Sequence, residues 1–314
     1  MIETLEDRMK FYEAQTSYRL RKKTPVVGRA DGKGFSKFTK GLKKTAGSPW
    51  NRDFSDSMVM AAKAACEEIQ GCQAAYIQSD EISFLITDTS SDNAQPYFDY
   101  KTRKLNSIIA STIALEFYVS LTDRLPELRD SRPRFDARFW NLTEDEVENM
   151  FIWRQQDAIC NSVQMYARHF FSHKEVHGKS VKQMKQMLRD NDTPWEKLPK
   201  ALRYGVWLTR EYFEEEVTFK RDGVEQKIMA NRTRWVPKPA PIFTMNREII
   251  TELLPVTSLI DDLIPEPFRA WITDISKRMQ CPLDYPFATV IVMCSSIIGT
   301  CCSIRPKSKD SWQV

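Results

Sequence analysis

Apolar and polar positions alternate through the first 240 residues in a succession of helix and strand patterns. Leu5, Met9, Phe11, Tyr12 and Tyr18 recur at roughly helical intervals over residues 1–20. A basic cluster follows, Arg19, Arg21, Lys22 and Lys23. The run Pro25-Val26-Val27-Gly28-Arg29-Ala30 then reads as a short buried strand, ended by the glycine-punctuated turn Asp31-Gly32-Lys33-Gly34-Phe35. Residues 52–70 put Met58, Ala62, Ala65, Cys66 and Ile69 on the inward side of a helix. Two β-like runs, 74–78 and 82–87, flank Ser79-Asp80-Glu81 and predict a hairpin with a polar tip. Residues 97–122 predict another helix, and 133–139 a strand. A long helix spans 143–176, capped at Thr143 with Glu146 three positions on, and Gly178 stops it. Residues 180–190 form a short basic helix. Residues 204–214 and 217–221 are β-structure around the turn Asp222-Gly223.

The order β, α, β, β, α, β over the first ~140 residues predicts an α+β protein. Its core would be ferredoxin-like (βαββαβ), a polymerase-like palm with added helices. The composition shifts at Pro237-Lys238-Pro239-Ala240-Pro241, where three prolines in five residues predict an extended linker. The expected organisation is a catalytic domain over 1–236, a linker over 237–241 and a small helical C-terminal annex over 242–314. The uncharged run 286–303 has the length of a membrane helix. It contains Ser295, Ser296, Gly299 and Thr300, which favour a helix buried in protein, so no membrane partner is expected.

The chain has 314 residues, 42% hydrophobic and 28% charged, with a formal net charge of +4. Those proportions allow a real core, while so mild a positive excess does not by itself point to a nucleic acid. The opening MIETLEDRMK carries acids and no apolar run, unlike a secretory signal. Seven cysteines without a CxxC pair read as reduced thiols, which predicts a cytoplasmic protein.

Asp31 ends a strand, and Asp80 and Glu81 sit at a hairpin tip. In a βαββαβ sheet the end of the first strand lies beside the tip that joins the second and third. Asp31 and Asp80 therefore converge although 49 positions separate them. Carboxylates gathered at one sheet edge are what two-metal phosphoryl transfer requires, and Mg²⁺ suits such an oxygen-only site. Taken singly, each is also what a turn or a solvated hairpin carries. Gly32 and Gly34 allow backbone N–H groups to face an anion. Lys33, Lys37, Lys40, Lys43 and Lys44 supply positive charge for a triphosphate, although lysines in a loop are ordinarily just solvated.

These segments resemble one family. Arg29-Ala30-Asp31-Gly32-Lys33-Gly34-Phe35 with Phe38, and Tyr76-Ile77-Gln78-Ser79-Asp80-Glu81-Ile82-Ser83-Phe84, are similar to the opening signatures of the tRNA-His guanylyltransferase family (Thg1-like proteins). Phe135-Asp136-Ala137-Arg138 and Trp153-Arg154-Gln155-Gln156-Asp157-Ala158 with Asn161-Ser162 resemble its later ones. His173-Lys174-Glu175-Val176-His177-Gly178-Lys179-Ser180 looks like a segment of its bacterial and phage-type members. The similarity runs in order over roughly residues 5–235.

The resemblance implies a reversed polymerase that extends tRNA in the 3′–5′ direction. The tRNA 5′-monophosphate is activated by ATP or GTP, and the 3′-hydroxyl of an incoming GTP then attacks it. It further implies two Mg²⁺ ions held by Asp31, Asp80 and the Gly32 carbonyl, with Glu81 as electrostatic support. Lys33, Gly34, Phe35 and Ser36 would hold triphosphate oxygens, with Ser79 nearby. Lys44, Lys101 and Lys104 would face the activating nucleotide or the RNA 5′ phosphate. Arg154, Asp157, Asn161, His173, His177 and Lys179 would lie on the RNA side, and the protein would assemble as a homotetramer.

Two departures bear on specificity. Ser36 stands where eukaryotic members have histidine, and Ile159-Cys160-Asn161-Ser162 replaces their His-Ile-Asn-Asn. Templated repair of 5′-truncated tRNA therefore competes with strict tRNA-His guanylylation. A nucleotide cyclase or forward polymerase on the same palm, and a non-catalytic tRNA-binding protein, are the other readings.

Three further features are weighed apart from the family. His169, His173 and His177, each four apart, fit one helix face, either as an RNA-facing ridge or, less completely, as a zinc site. Trp195, Trp207 and Trp235 read as core residues rather than base-stacking ones. The tail from Pro267 resembles the start of a phage primase/helicase-associated region, without a P-loop.

Overall fold

In the computed structural model the described residues are 4–42, 48–89, 94–221, 224–245, 264–279, 283–298, 303–304 and 312–313. They fall into two compact units, Met1–Glu252 and Leu253–Val314. The first is built on a six-stranded antiparallel sheet with the order β4-β1-β3-β2-β5-β6. Helix α1 (Leu5–Ala14) precedes strand β1 (Val26–Gly32). Then come α2 (Phe35–Lys40), α3 (Arg52–Glu68), β2 (Cys72–Gln78), β3 (Glu81–Ile86), α4 (Thr102–Arg124) and β4 (Phe135–Asn141). The predicted βαββαβ order is thus observed, with the four strands paired as 4-1-3-2.

The sheet is covered on both faces, which explains why its central strands read as continuous apolar runs. Val26 and Ala30 of β1 and Ile82, Phe84 and Ile86 of β3 pack under α3 and α4. Asn51 caps α3 by accepting from the Phe54 N–H at 2.7 Å. Helix α4 is, among the described residues, the one helix long and apolar enough to cross a membrane. Here it buries Leu105, Ile109, Ile113, Phe117 and Leu121, the place of a core helix. On the opposite face Val27, Tyr76, Leu85 and Trp207 meet Val147, Met150 and Phe151 of α5 (Glu144–Phe170). Trp195, Trp207 and Trp235 are all buried, as expected.

The long helix predicted over 143–176 is broken. Phe171 is extended, and Ser172 starts α6 (His173–Val176) with a capping box to Glu175. That Ser-x-x-Glu pattern ends the helix before the last two histidines. The three histidines therefore share no helix face, although the His173 and His177 rings stack at 5.4 Å. Helices α7 (Val181–Asp190) and α8 (Lys200–Tyr204) follow.

Two further expectations are corrected. The β-structure after residue 204 is one long hairpin, β5 (Val206–Arg221) with β6 (Val224–Pro239); its turn at Asp222-Gly223 lies outside the described residues. Only Val206–Thr209 pair with β2, so the remainder projects as a two-stranded arm. The proline-rich stretch is no linker. Pro237 pairs with Leu208 and Pro239 with Val206, and β6 tolerates both because it is an edge strand. The next residues stay with the same unit. Phe243 is fully buried, and Gln155 of α5 accepts from its N–H at 2.9 Å and donates to the Pro241 carbonyl at 2.7 Å.

The second unit contains α9 (Glu266–Met279) and α10 (Asp284–Ile298) around Ile264, Ile272 and Val290, and a short β7–β8 pair (Ser303–Ile304, Trp312–Gln313). At fifteen residues α10 is shorter than a membrane span.

Phe35 closes the core beneath the start of α2. Its ring lies 5.0 Å from Phe135, 5.2 Å from Phe38, 5.5 Å from Phe117 and 6.0 Å from Phe54. Phe35→Ala is expected to lower the unfolding free energy by about 3–5 kcal/mol, measured as a fall in the urea midpoint with an unchanged slope.

Candidate active site

Strand register brings the acidic residues to one edge of the sheet. In β1, Asp31 lies opposite Glu81 of β3 on one side and Asp136 of β4 on the other. The β2–β3 hairpin closes through Ser79 and Asp80, with Gln78 paired to Glu81. Ser79 sits at φ 50, where glycine is the usual residue of so tight a turn. The Gly32 N–H donates to the Asp80 carbonyl at 3.0 Å, joining the end of β1 to the hairpin tip. Asp31 and Asp80 thus become electrostatic neighbours, and the Asp31 charge contributes to the Asp80 pKa.

The pleat sorts these side chains. Val26 and Ala30 of β1 face α3 and α4, while Val27 faces α5. Arg29 and Asp31 share the parity of Val27 and lie on the α5 face. There Arg154 of α5 makes a bidentate pair with Glu81, Nε to Oε1 at 2.6 Å and Nη2 to Oε2 at 2.7 Å, and reaches Asp157 at 3.0 Å. Burial opposes the Arg154 charge, but the Glu81 hydrogen bonds and charge outweigh it and raise the guanidinium's pKa. Arg154 is only 7% exposed in this pair. Its guanidinium is thus turned inward to Glu81, on the face of α5 against the sheet. Asp157 and Asn161 do stay on the accessible side of α5, 3.4 Å apart.

Two residues with no role in the sequence reading belong here. Asp136 opposes Asp31, and Arg138 links both, at 2.7 Å to Asp136 and 3.4 Å to Asp31. Their strand was recognisable, but only the β1–β4 register shows that they reach this edge.

The loop after Asp31 is shaped by glycine. A Cβ on Gly32 would stand 2.4 Å from the Phe35 ring, and Gly34 adopts φ 75 as the residue before α2. Lys33, Ser36 and Lys37 are exposed around it. Phe35 is 3% exposed and its side chain belongs to the core. Lys44 lies outside the described residues.

Lys101 and Lys104 are not gathered here. Lys101 precedes α4, pairs with Arg19, and stands at the end of the helix away from the carboxylates. Phe117, which touches Phe35, is 13 residues beyond Lys104, about 20 Å along the helix. His173, His177 and Lys179 lie past the far end of α5, also remote from the chemistry.

Asp80 is held above the ordinary carboxylate pKa, first by burial and then by the charges of Asp31 and Glu81, partly offset by hydrogen bonds from Ser79 and its own backbone. Among the described residues no group of three or more His, Cys, Asp or Glu side chains forms a ready metal cage. The donors here are instead two carboxylates and a backbone carbonyl, all hard oxygens, beside a loop open to phosphate. Mg²⁺, which keeps its waters and shares substrate phosphates, suits such a set.

Two predictions follow from these charges. The folded protein binds the Asp80 proton more tightly than the unfolded chain, so ionised Asp80 costs stability. That cost is complete above the folded pKa and disappears below the unfolded value of about 3.9. Asp80→Asn is expected to raise Tm at pH 7–8, with the gain shrinking as pH falls, measured by thermal scans from pH 3.5 to 8. Arg154→Ala strands Glu81 and is expected to cost about 3–5 kcal/mol, checked by chemical denaturation; Glu81→Gln in the same background should recover part of the loss.

Several known proteins resemble this chain. The family model for tRNA-His guanylyltransferase matches residues 6–143. A bacterial tRNA-His guanylyltransferase (Thg1)-like protein solved in complex with ATP is 31% identical, with a TM-score of 0.69, over 78% of this chain and 96% of that one. A structure titled as the same kind of bacterial protein in complex with GTP is 29% identical, with a TM-score of 0.65, over 81% and 100%. The tRNA(His) guanylyltransferase 1 of Arabidopsis thaliana is 26% identical over 76% of this chain, which spans about half the length of that relative (46%). With the family model matched and a Thg1-like protein 31% identical over nearly its whole length, the chain belongs to the tRNA-His guanylyltransferase (Thg1-like) family.

Proposed function

We propose that this chain is a nucleotidyltransferase that adds nucleotides to the 5′ end of a tRNA in the 3′–5′ direction, using its sheet as a polymerase-type palm. The observation that carries the reading is the meeting of Asp31 and Asp80 beside the Gly32–Gly34 loop. Phosphoryl transfer asks little covalent chemistry of a protein and much positioning and charge neutralisation. Asp31, Asp80 and the Gly32 carbonyl would hold Mg²⁺, which when bound supplies charge neutralisation and orients the attacking and leaving oxygens. Backbone N–H groups from Lys33 to Ser36, with Lys33 and Lys37, bind the triphosphate. Glu81, fixed by Arg154, keeps the α5 side of the site rigid.

In the first step the tRNA 5′-phosphate attacks the α-phosphorus of ATP or GTP and pyrophosphate leaves. In the second the 3′-hydroxyl of an incoming GTP attacks the activated 5′-phosphate and the nucleoside monophosphate leaves. The pyrophosphate of the added nucleotide is removed afterwards.

Ile159 favours a broad tRNA range. It packs half-buried against the hydrophobic cluster that contains Val163, Tyr166 and Trp195 and offers no hydrogen bond to a base. Templated repair of 5′-truncated tRNAs is therefore the expected activity, alongside addition to tRNA-His.

The test is incubation of 5′-monophosphorylated full-length and truncated tRNAs with labelled GTP, ATP and Mg²⁺, followed by sequencing of the 5′ ends. Label at the 5′ end is expected. Asp31→Ala and Asp80→Ala are each expected to lower the rate by at least ~10²–10³-fold, a loss of several kcal/mol of transition-state stabilisation. Label only at 3′ ends, cyclic nucleotide, or an unchanged rate in Asp80→Ala would overturn the proposal. Mg²⁺ is further expected to raise the Tm of the wild type and not of Asp80→Asn.

A further inference from the structure

We propose that Trp153 is a stacking platform for one unpaired base of the RNA substrate, an inference that rests on the reading above and names where that substrate is gripped. Trp153 is on α5, one residue before Arg154, and is 52% exposed. Its ring is not a loose surface group. The Arg154 guanidinium lies 4.5 Å from the ring centroid and is itself locked to Glu81. Arg29 approaches to 5.8 Å. Two cations thus hold the indole from the protein side, leaving its remaining surface to solvent.

The surroundings select a nucleobase. A protein-docking patch is a contiguous apolar area, whereas the Trp153 ring lies against two cations, Arg29 and Arg154. Asp157 and Asn161 follow at four-residue intervals and continue the same helix ridge. They place a carboxylate and an amide in line with the indole, partners for the edge of a stacked base. Arg29 is only 18% exposed, touches Glu81 at 3.9 Å, and its buried Nε makes no hydrogen bond.

Position selects RNA over the bound triphosphate. The Gly34 loop leads into α2, whose Phe35 is rooted under α3 and α4. Trp153 belongs to α5, on the other face of the sheet. A nucleotide seated on the loop and a base on Trp153 approach the carboxylates from opposite sides, as two reacting partners must. A base stacked on an aromatic side chain contributes about 1–3 kcal/mol, roughly 5- to 150-fold in affinity.

The experiment uses the full chain and tRNA carrying 2-aminopurine within its 5′-terminal or 3′-overhanging nucleotides, titrated without nucleotide. Wild type is expected to quench the fluorescence of one labelled position. Trp153→Ala should abolish that quench and weaken tRNA binding by at least about fivefold, while Trp153→Phe restores most of both. GTP affinity and Tm should not change. Wild-type tRNA affinity in Trp153→Ala would overturn the platform. So would equal weakness of the Ala and Phe variants, or a parallel loss of GTP binding. If tRNA binding follows this pattern while the wild type adds nothing to 5′ ends, the platform stands and the catalytic reading falls. If 5′ addition proceeds with the same KM for tRNA in Trp153→Ala, the reverse holds.

Discussion

The antiparallel register of β1 on β3, which sets Asp31 opposite Glu81, brings two distant turn residues, Asp31 and Asp80, to one place. A backbone hydrogen bond from the Gly32 N–H to the Asp80 carbonyl closes that ladder at the β2–β3 tip. The two share one sheet edge, and the Asp31 charge raises the cost of ionising Asp80. The bond depends on glycine at 32, because the Phe35 ring occupies the space of any side chain there. The same phenylalanine anchors α2 in the core. The loop that faces the ligand and the aromatic cluster beneath it are thus parts of one construction.

The site is electrostatically uneven by design of its layers. Glu81 is neutralised from the α5 side by a buried arginine, and Asp31 shares Arg138 with Asp136. For Asp80, hydrogen bonds from Ser79 and its own backbone give only partial relief from burial and the neighbouring charges. Such an arrangement sacrifices stability at one carboxylate and keeps it at the others. That is the pattern expected where a group is reserved for a ligand.

Much of this was legible in the chain. The apolar run Val26–Ala30 and the polar tip at Ser79–Glu81 marked three strands and the edge at which they meet, because a βαββαβ order leaves few ways to pair them. What failed had a local physical cause. The helix across Phe171 was misread because the capping box at Ser172 interrupts a pattern that otherwise continues. The prolines at 237 and 239 suggested a linker because composition does not reveal that a strand lies at a sheet edge. The buried pair of Arg154 with Glu81 could not be read because a sequence motif carries no information about which face of α5 is covered. Asp136 and Arg138 required the register across β1, a relation between segments a hundred residues apart.

The edge position of those prolines has one more result. In β6, Pro237 and Pro239 are two apart and sit where amide hydrogens would otherwise point away from β5. At these positions the rim offers no donors to an incoming strand, so a foreign chain or an unfolded copy finds no template there for extending the sheet. The base of the projecting hairpin is thereby guarded against self-aggregation by the very residues that look, in isolation, like a break in the fold.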